Sequence, residues 1–336
     1  MAQSPPMDVA VVGLGATGLA AVLEARRRGA TVAAYDSGRL GGGATGRNAG
    51  FLLAGTADFY HRRRDRELYG LTLDEMDRMM AETPTVISRT GSVRRPRSLE
   101  EHEDCAAHYQ ALRDDGFPAE LERDGSMIVP TDGSFHPLAR ASLLAAAARD
   151  NEAVLVENHL VDNFDALEAD RVIVAVDGGL ERVLPELTGR VRTARLQMLA
   201  TARTDEVRIG RPVYSRYGYD YWQQLPDGRV VVGGCRDQFP DQSWTTASRP
   251  TQAVQAALDC LLREDVGVRN APVTHRWAGT SSYTDDRRPV CEEIRPNVVA
   301  VGAFCGHGNV IASMAGRAAV ELALDGRSPL AVALTE

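Results

Sequence analysis

Met7–Asp36 reads MDVAVVGLGATGLAAVLEARRRGATVAAYD, and the rest of the chain is organised around it. Asp8–Val12 is a Val/Ala run without a polar break, as a strand buried on both faces requires. Gly13, Gly15 and Gly18 then spell G-x-G-x-x-G, and Leu19–Arg28 carries good helix formers with apolar residues at helical spacing. Gly29 stops that helix. Thr31–Tyr35 is a second β-rich run ending on Asp36, 23 positions beyond Gly13.

Each part of this strand–turn–helix–strand unit has a physical task in holding a dinucleotide. Gly13 permits the tight turn, Gly15 lets the backbone approach a pyrophosphate, and Gly18 lets helix and strand lie close together. The helix begins with unpaired N–H groups and a partial positive charge, which suit an anionic phosphate bridge. A carboxylate closing the second strand accepts both ribose hydroxyls and repels a 2′-phosphate. Glycines alone also mark ordinary turns. With strand, helix and acidic residue in register the stretch reads as dinucleotide-binding, without separating NAD from FAD.

The 336 residues suffice for two domains. A hydrophobic share of 44% and a charged share of 25% are those of an ordinary globular chain. The net charge of −8 argues against nucleic acid or an anionic membrane surface as partner. No apolar run reaches bilayer length, and Met1–Met7 lacks the charged start and apolar stretch of a secretory leader, so a cytoplasmic location is expected. Cys105, Cys235, Cys260, Cys291 and Cys305 are scattered without a C-x-x-C pair, so neither a metal site nor a disulfide framework is expected. Every basic side chain apart from histidine is arginine, which removes all lysine chemistry.

Outward from the opening unit, Ser37–Leu53 (SGRLGGGATGRNAGFLL) is glycine-dense, with Thr45, Arg47 and Asn48 set among the glycines as donors to a closely approaching ligand. Ala57–Thr90 reads as mostly helical, with a stripe from Leu68 to Met80 for a core or domain interface. Ser98 and Glu101 have capping-box spacing ahead of a helix to about Arg113. Gly125–Pro130 reads as a strand and Pro137–Arg149 as a helix, and Ala153–Glu157 and Arg171–Val176 are β-like. Asp227-Gly228 is the turn of a hairpin joining Tyr219–Leu225 to Arg229–Gly233, where Tyr219 and Tyr221 share a face by alternation. Thr251–Arg263 is helical. Val298–Leu324 repeats the opening order of strand, glycine turn and helix. A discontinuous nucleotide domain with a second domain inserted into it follows.

Taken together, GLGATG, Asp36, GGGATGRNAG, YWQQLPDGRVVVGG, RWAGTSSYTDDRRPV and GAFCGHGN resemble, in order and over nearly the whole chain, the FAD-dependent amine and amino-acid oxidoreductases. That group includes glycine oxidase, D-amino-acid oxidase and dehydrogenase, monomeric sarcosine oxidase and γ-glutamylputrescine oxidase. The resemblance implies an α/β fold: a discontinuous Rossmann-like FAD-binding domain (residues 1–56, 125–190 and 272–336) with an inserted antiparallel-sheet α+β substrate domain (57–124 and 191–271). It implies that Gly13, Gly15, Ala16, Thr17 and Gly18 hold the pyrophosphate, and Asp36 with Ser37 the adenosine ribose. Ala44, Thr45, Arg47, Asn48, Ala49 and Gly50 would lie along pyrophosphate and flavin, Val161 against adenine, and Ala175 and Gly178 over the nucleotide. Gly302, Gly306, His307, Gly308, Asn309 and Val310 would run past the pyrimidine end of the flavin, where N–H groups opening the last helix favour negative charge.

In this family the inserted sheet roofs the flavin, and Tyr221 matches the pocket tyrosine of glycine oxidase. Three departures stand out. Asp177 replaces a glycine of many relatives. Ser281 stands where glycine and D-amino-acid oxidases carry a carboxylate-clamping arginine and where sarcosine oxidase carries its flavin-linking cysteine. Val310 stands where sarcosine oxidase has its anchoring lysine. Non-covalent FAD is therefore expected, with Tyr221, Ser281 and Arg47 at the catalytic end and Arg47, Arg216 or Arg276 replacing the missing clamp. The reaction implied is oxidation of a C–N bond of a small amine or amino acid by hydride transfer to flavin N5, the imine then hydrolysing to a carbonyl compound and an amine. Reoxidation by O2 would give H2O2. A quinone- or carrier-linked dehydrogenase and a non-catalytic FAD-binding protein are the alternatives.

Overall fold

The computed structural model describes residues 7–56 and 58–336. The leader reading of residues 1–6 and the start of the helical stretch at Ala57 lie outside the described residues. The chain divides into two units: the segments ending at Arg47, Pro137–Ala194 and Thr280–Glu336 form one, and Asn48–His136 with Arg195–Gly279 the other. Helices, a largely parallel sheet and antiparallel strands make this a mixed α/β protein.

In the first unit a six-stranded sheet runs in the order Val290–Arg295, Val298–Gly302, Ala169–Val174, Met7–Val12, Val32–Tyr35, Val154–Val156. All neighbours are parallel except the first pair. The opening strand lies between two partners, Val9 facing Val32 on one side and Arg171 on the other, and Val9, Ala10 and Val11 are buried. That placement demands the unbroken apolar run seen in the sequence. Helices Ala16–Arg27 and Gly308–Asp325 pack against each other through Gly316, where a Cβ would come within 2.9 Å of the Ala20 Cβ and overlap the Thr17 carbonyl oxygen. The two glycine turns, from opposite ends of the sequence, thus belong to one packed layer.

In the second unit an eight-stranded sheet runs Val273–Tyr283, Arg192–Arg203, Arg229–Gly234, Asp220–Gln224, Val213–Ser215, Ser92–Arg95, Met127–Val129, Glu120–Leu121. One face, with Leu199, Val213, Trp222, Val230 and Val232, packs on Val254, Leu258 and Leu261 of the helix Gln252–Leu261. The other carries Met198, Ala200, Val231 and Tyr221.

Several local readings hold. Asp227-Gly228 turns the hairpin, with Leu225 N–H donating to Arg229 O at 2.7 Å. Ser98 caps the helix Leu99–Asp114, accepting from Glu101 N–H at 3.1 Å. Others need correction. Within Ala57–Thr90 the helix covers Arg66–Glu82, because Asp65 caps it at Leu68 N–H (2.8 Å) and Pro84 follows its end. Tyr219 does not share the strand face of Tyr221. The turn Arg216–Gly218, with Arg216 and Tyr217 at φ 47° and 57°, leaves Tyr219 in helical conformation before the strand begins at Asp220. Tyr219 lies instead under the Arg236 guanidinium. The helix expected over Thr251–Arg263 ends at Leu261 and passes into a wider turn, Leu262–Val266.

Candidate active site

The opening turn is formed by close approach. Gly13 leaves its strand at φ +114°, and a Cβ there would stand 2.5 Å from the Ala175 carbonyl oxygen. A Cβ on Gly18 would overlap the Gly13 carbonyl oxygen, so strand end and helix touch backbone to backbone. The helix starts at Gly15 without a side-chain cap. Ala16 N–H donates to Thr45 Oγ1 at 2.9 Å, and Thr45 belongs to the short helical turn Ala44–Arg47. That turn is tied down by Gly41 N–H to Leu14 O at 3.0 Å and Gly46 N–H to Gly41 O at 2.8 Å. The GGGATG segment is therefore folded against the opening turn. Thr17 is buried behind it.

Asp36 closes its strand with both carboxylate oxygens on backbone donors, Oδ2 on Leu14 N–H and Oδ1 on Gly38 N–H, each at 2.8 Å. It fixes the turn and, with lone pairs remaining, keeps acceptor capacity for a diol. Ser37 beside it is exposed. Val161 packs with Tyr35 on the core next to these strand ends. Glycines that let strand end, turn and helix start close backbone to backbone, an uncapped helix start and a ribose-type carboxylate fit the pyrophosphate and adenosine of FAD.

The closing turn is strained. Ala303, Cys305 and Gly306 stand at φ 58°, 55° and 84°; for residues bearing a Cβ this costs ~1–3 kcal/mol each and persists only where the surroundings over-determine it. Here they do. Cys305 N–H donates to Ser282 O at 3.0 Å, His307 N–H to Phe304 O at 2.9 Å, and Phe304 N–H to Asp177 Oδ1 at 3.3 Å. Asp177 is partly buried. It also accepts from the Ser281 hydroxyl and from the Ser282 and Ala303 backbones, yet burial outweighs these bonds and pushes its carboxyl up to about 6. The two positions that depart from the resemblance are thus bonded to each other. Ser281 spends its hydroxyl on Asp177 and provides no charge for a carboxylate. Gly178 fits because a Cβ would run into Thr280. Gly302 ends its strand and is buried, and His307 precedes a helix that opens at Gly308 without a side-chain cap, followed by half-buried Asn309 and buried Val310.

Asn48, Ala49 and Gly50 fall in the second unit. Asn48 Oδ1 accepts from Gly50 N–H at 2.7 Å, Gly50 O accepts from Phe135 N–H at 2.8 Å, and Ala49 O accepts from Gln223 Nε2. In that unit the register sets Arg94, Tyr214, Tyr221, Gly233 and Met198 in one row across five strands. Tyr221 is edge-on to Tyr214 and to Phe51, with ring centres 6.1 Å apart in each pair. Its ring lies over Gly233, where a Cβ would be 2.6 Å from the Tyr221 oxygen and closer still to the ring carbons. Gly233→Ala is therefore expected to cost about 1–3 kcal/mol through overpacking. Urea unfolding checks it, with Tyr221→Ala in the same chain restoring most of the loss.

Two of the three arginines expected to replace the missing clamp, Arg216 and Arg276, are committed elsewhere. Arg216 pairs with Asp220 at 2.6 Å and Asp237 at 2.7 Å, and Arg276 with Asp259 at 2.8 Å. Arg94, Gly233 and the Asp177–Ser281 bond leave little trace in the sequence. Their only sequence signals were the alternation of GSVRR and the two departures themselves.

The model of the family described as "DAO: FAD dependent oxidoreductase" matches residues 8–322. The chain is 26% identical over 378 residues to "Probable oxidoreductase OrdL" of Rhizobium meliloti (strain 1021), covering 96% of this chain and 84% of that protein. It is likewise 26% identical over 375 residues to gamma-glutamylputrescine oxidoreductase of Escherichia coli (strain K12), covering 95% and 84%. Among solved structures it superposes on glycine oxidase from Geobacillus kaustophilus with a TM-score of 0.78 at 20% identity, covering 98% of each chain. Among the described residues no helix is long and apolar enough to cross a membrane. The glycine cradle of the opening turn and the matched span agree: the chain belongs to the DAO family of FAD-dependent oxidoreductases, as an enzyme of amine and amino-acid oxidase type.

Proposed function

We propose that this enzyme oxidises a C–N bond of a small amine or amino acid, with FAD held non-covalently. The chemistry supplied by bound FAD is acceptance of a hydride at N5 from the carbon bearing nitrogen, after which water hydrolyses the released imine to a carbonyl compound and an amine. The observation that carries the reading is the presence in one unit of a close-packed glycine turn at Gly13–Gly18 and a strained turn at Ala303–Gly306 that Asp177 holds in place.

The chain's own contributions are positional and electrostatic. Gly13, Gly15, Ala16, Thr17, Gly18 and Thr45 hold the pyrophosphate, with Arg47 alongside, and Asp36 the ribose. The turn through Gly306–Val310, with the N–H groups and positive end of its uncapped helix, would favour negative charge on the pyrimidine edge of a bound flavin. Tyr221, fixed by Phe51, Tyr214 and the space above Gly233, orients the substrate. Ser281 is buried, small and bonded to Asp177, which supports a non-covalent cofactor.

O2 is the proposed acceptor, giving H2O2. The reading in which a quinone or carrier takes the electrons draws on one feature, the absence of any lysine to assist oxygen reduction. Purified enzyme incubated in air with a panel of amines, amino acids and N-methyl compounds should form a carbonyl product and peroxide together. Carbonyl formation only with an added artificial acceptor selects the dehydrogenase, and none under either condition removes the proposal.

A further inference from the structure

The sheet face that carries Tyr221 also carries a cation without a counter-ion. Arg94 on the strand Ser92–Arg95 faces Tyr214 across the sheet, and Tyr214 faces Tyr221. Its guanidinium lies 5.2 Å from the centre of the Phe59 ring. Among the described residues it makes no ion pair and no side-chain hydrogen bond.

The carboxylates around it are already engaged. Glu101 accepts from Arg97 N–H and Tyr217 N–H, both at 2.7 Å. Asp104 takes Arg62 at 2.5 Å and His61 at 3.1 Å. Asp132, buried, accepts from Ser92 Oγ at 2.6 Å and Ala54 N–H at 2.9 Å. Arg94 borders a shallow indentation of the surface, open to solvent, lined also by Phe59, Glu101, Cys105, Tyr214 and Tyr217. His108, 3% exposed and with no partner on Nδ1, lies close enough to Arg94 that its charge, after burial, disfavours protonating the imidazole. A half-buried guanidinium against aromatic walls, with its five donors unspent, is a receptor for a carboxylate.

We propose that Arg94 clasps an acidic group of the substrate, so that the enzyme takes an amine carrying a remote carboxylate. The remoteness follows from register. Arg94 and Tyr221 are two strands apart, roughly 10 Å at the spacing of neighbouring strands. With Tyr221 at the reacting end, acid and amine are separated by a chain of several bonds rather than sharing one carbon. This inference rests on the C–N oxidation proposed above for the identity of the substrate, but not for the binding of the anion.

The test therefore has two arms on FAD-loaded protein. In the first, calorimetry measures glutarate, which has no nitrogen to oxidise, against glutaramide. Wild type should bind glutarate in preference, and Arg94→Met should weaken glutarate by about 10- to 100-fold, the range for charged hydrogen bonds, with glutaramide unchanged. Arg94→Lys, which keeps charge and loses the fork, should fall between, and unfolding curves confirm that each variant is folded. In the second, ε-aminocaproate is compared with hexylamine and glycine for oxidation. The acid-bearing long amine should be preferred by wild type, and that preference should vanish in Arg94→Met. Equal glutarate binding by wild type and Arg94→Met, or none by either, overturns the inference. Normal glutarate behaviour with no amine oxidised leaves the anion site standing and overturns the C–N reading instead.

Discussion

Gly13→Ala is expected to abolish tight FAD binding. Two costs fall on the same residue. A side-chain-bearing residue held at φ +114° is strained by ~1–3 kcal/mol, and the new Cβ must push away the Ala175 carbonyl oxygen, now 2.5 Å from where it would stand, for about 1–3 kcal/mol more. The Ala175 N–H donates to Val12 O at 2.8 Å, so that shift disturbs the parallel pairing of two central strands. Relief by moving Gly13 displaces Gly18 and the helix start with it. The sum, about 2–6 kcal/mol, falls on the fold with or without FAD and should lower the stability of the FAD-free protein, while the displaced turn no longer fits the pyrophosphate. Gly15→Val separates cradle from fold. Position 15 has no positive φ, and a Cβ there meets Thr45 Oγ1 at 3.0 Å rather than backbone. Its added methyls should therefore exclude the cofactor while leaving the FAD-free protein nearly as stable as wild type. Flavin fluorescence titration and thermal unfolding of FAD-free protein together distinguish these effects. Gly15→Val binding FAD normally would refute the cradle.

Asp177→Asn is expected to change the pH dependence of stability as well as its size. Burial pushes the Asp177 carboxyl up to about 6, whereas in the unfolded chain it ionises near its ordinary 3.8. Between these values the native protein retains a proton that the unfolded chain has released. Stability from this group is thus complete below the ordinary value and lost as pH rises through about 6, by on the order of 3 kcal/mol. Asparagine does not titrate. Relative to wild type the variant should be less stable at about pH 4, through weakened bonds to Ser281 and Phe304, and should recover or overtake wild type by about pH 8. Asp132, also pushed up to about 6 by burial, contributes equally to both proteins and cancels in the difference. Since Asp177 holds the strained turn Ala303–Gly306, Asp177→Asn should also weaken FAD binding. A pH-independent stability difference would mean that the carboxyl stays ionised in the native protein.

Much of this architecture is legible from residues 7–36 and 298–324 because parallel strands buried on both faces and helices between glycine turns leave strong local patterns. The hairpin at Asp227-Gly228 is equally local. What escaped depends on partners distant in sequence. Nothing within the hairpin reveals that Arg216–Gly218 would take positive φ and turn Tyr219 away from Tyr221. The arginine-rich composition hides which guanidinium lacks a carboxylate: Arg216 and Arg276 find theirs 4 and 17 residues away, and Arg94 finds none among the described residues. Asp177 and Ser281 could each be seen to depart from the resemblance, but their bond joins residues 104 positions apart in the chain.

The most direct test of C–N oxidation is anaerobic mixing of the FAD-loaded enzyme with amines, amino acids and N-methyl compounds, ε-aminocaproate included, while the oxidised flavin absorbance is followed. The account predicts bleaching by at least one of them, with carbonyl product formed in proportion to flavin reduced and colour restored on adding an acceptor. An enzyme that binds FAD, is bleached by dithionite and is left yellow by every nitrogen compound would contradict it.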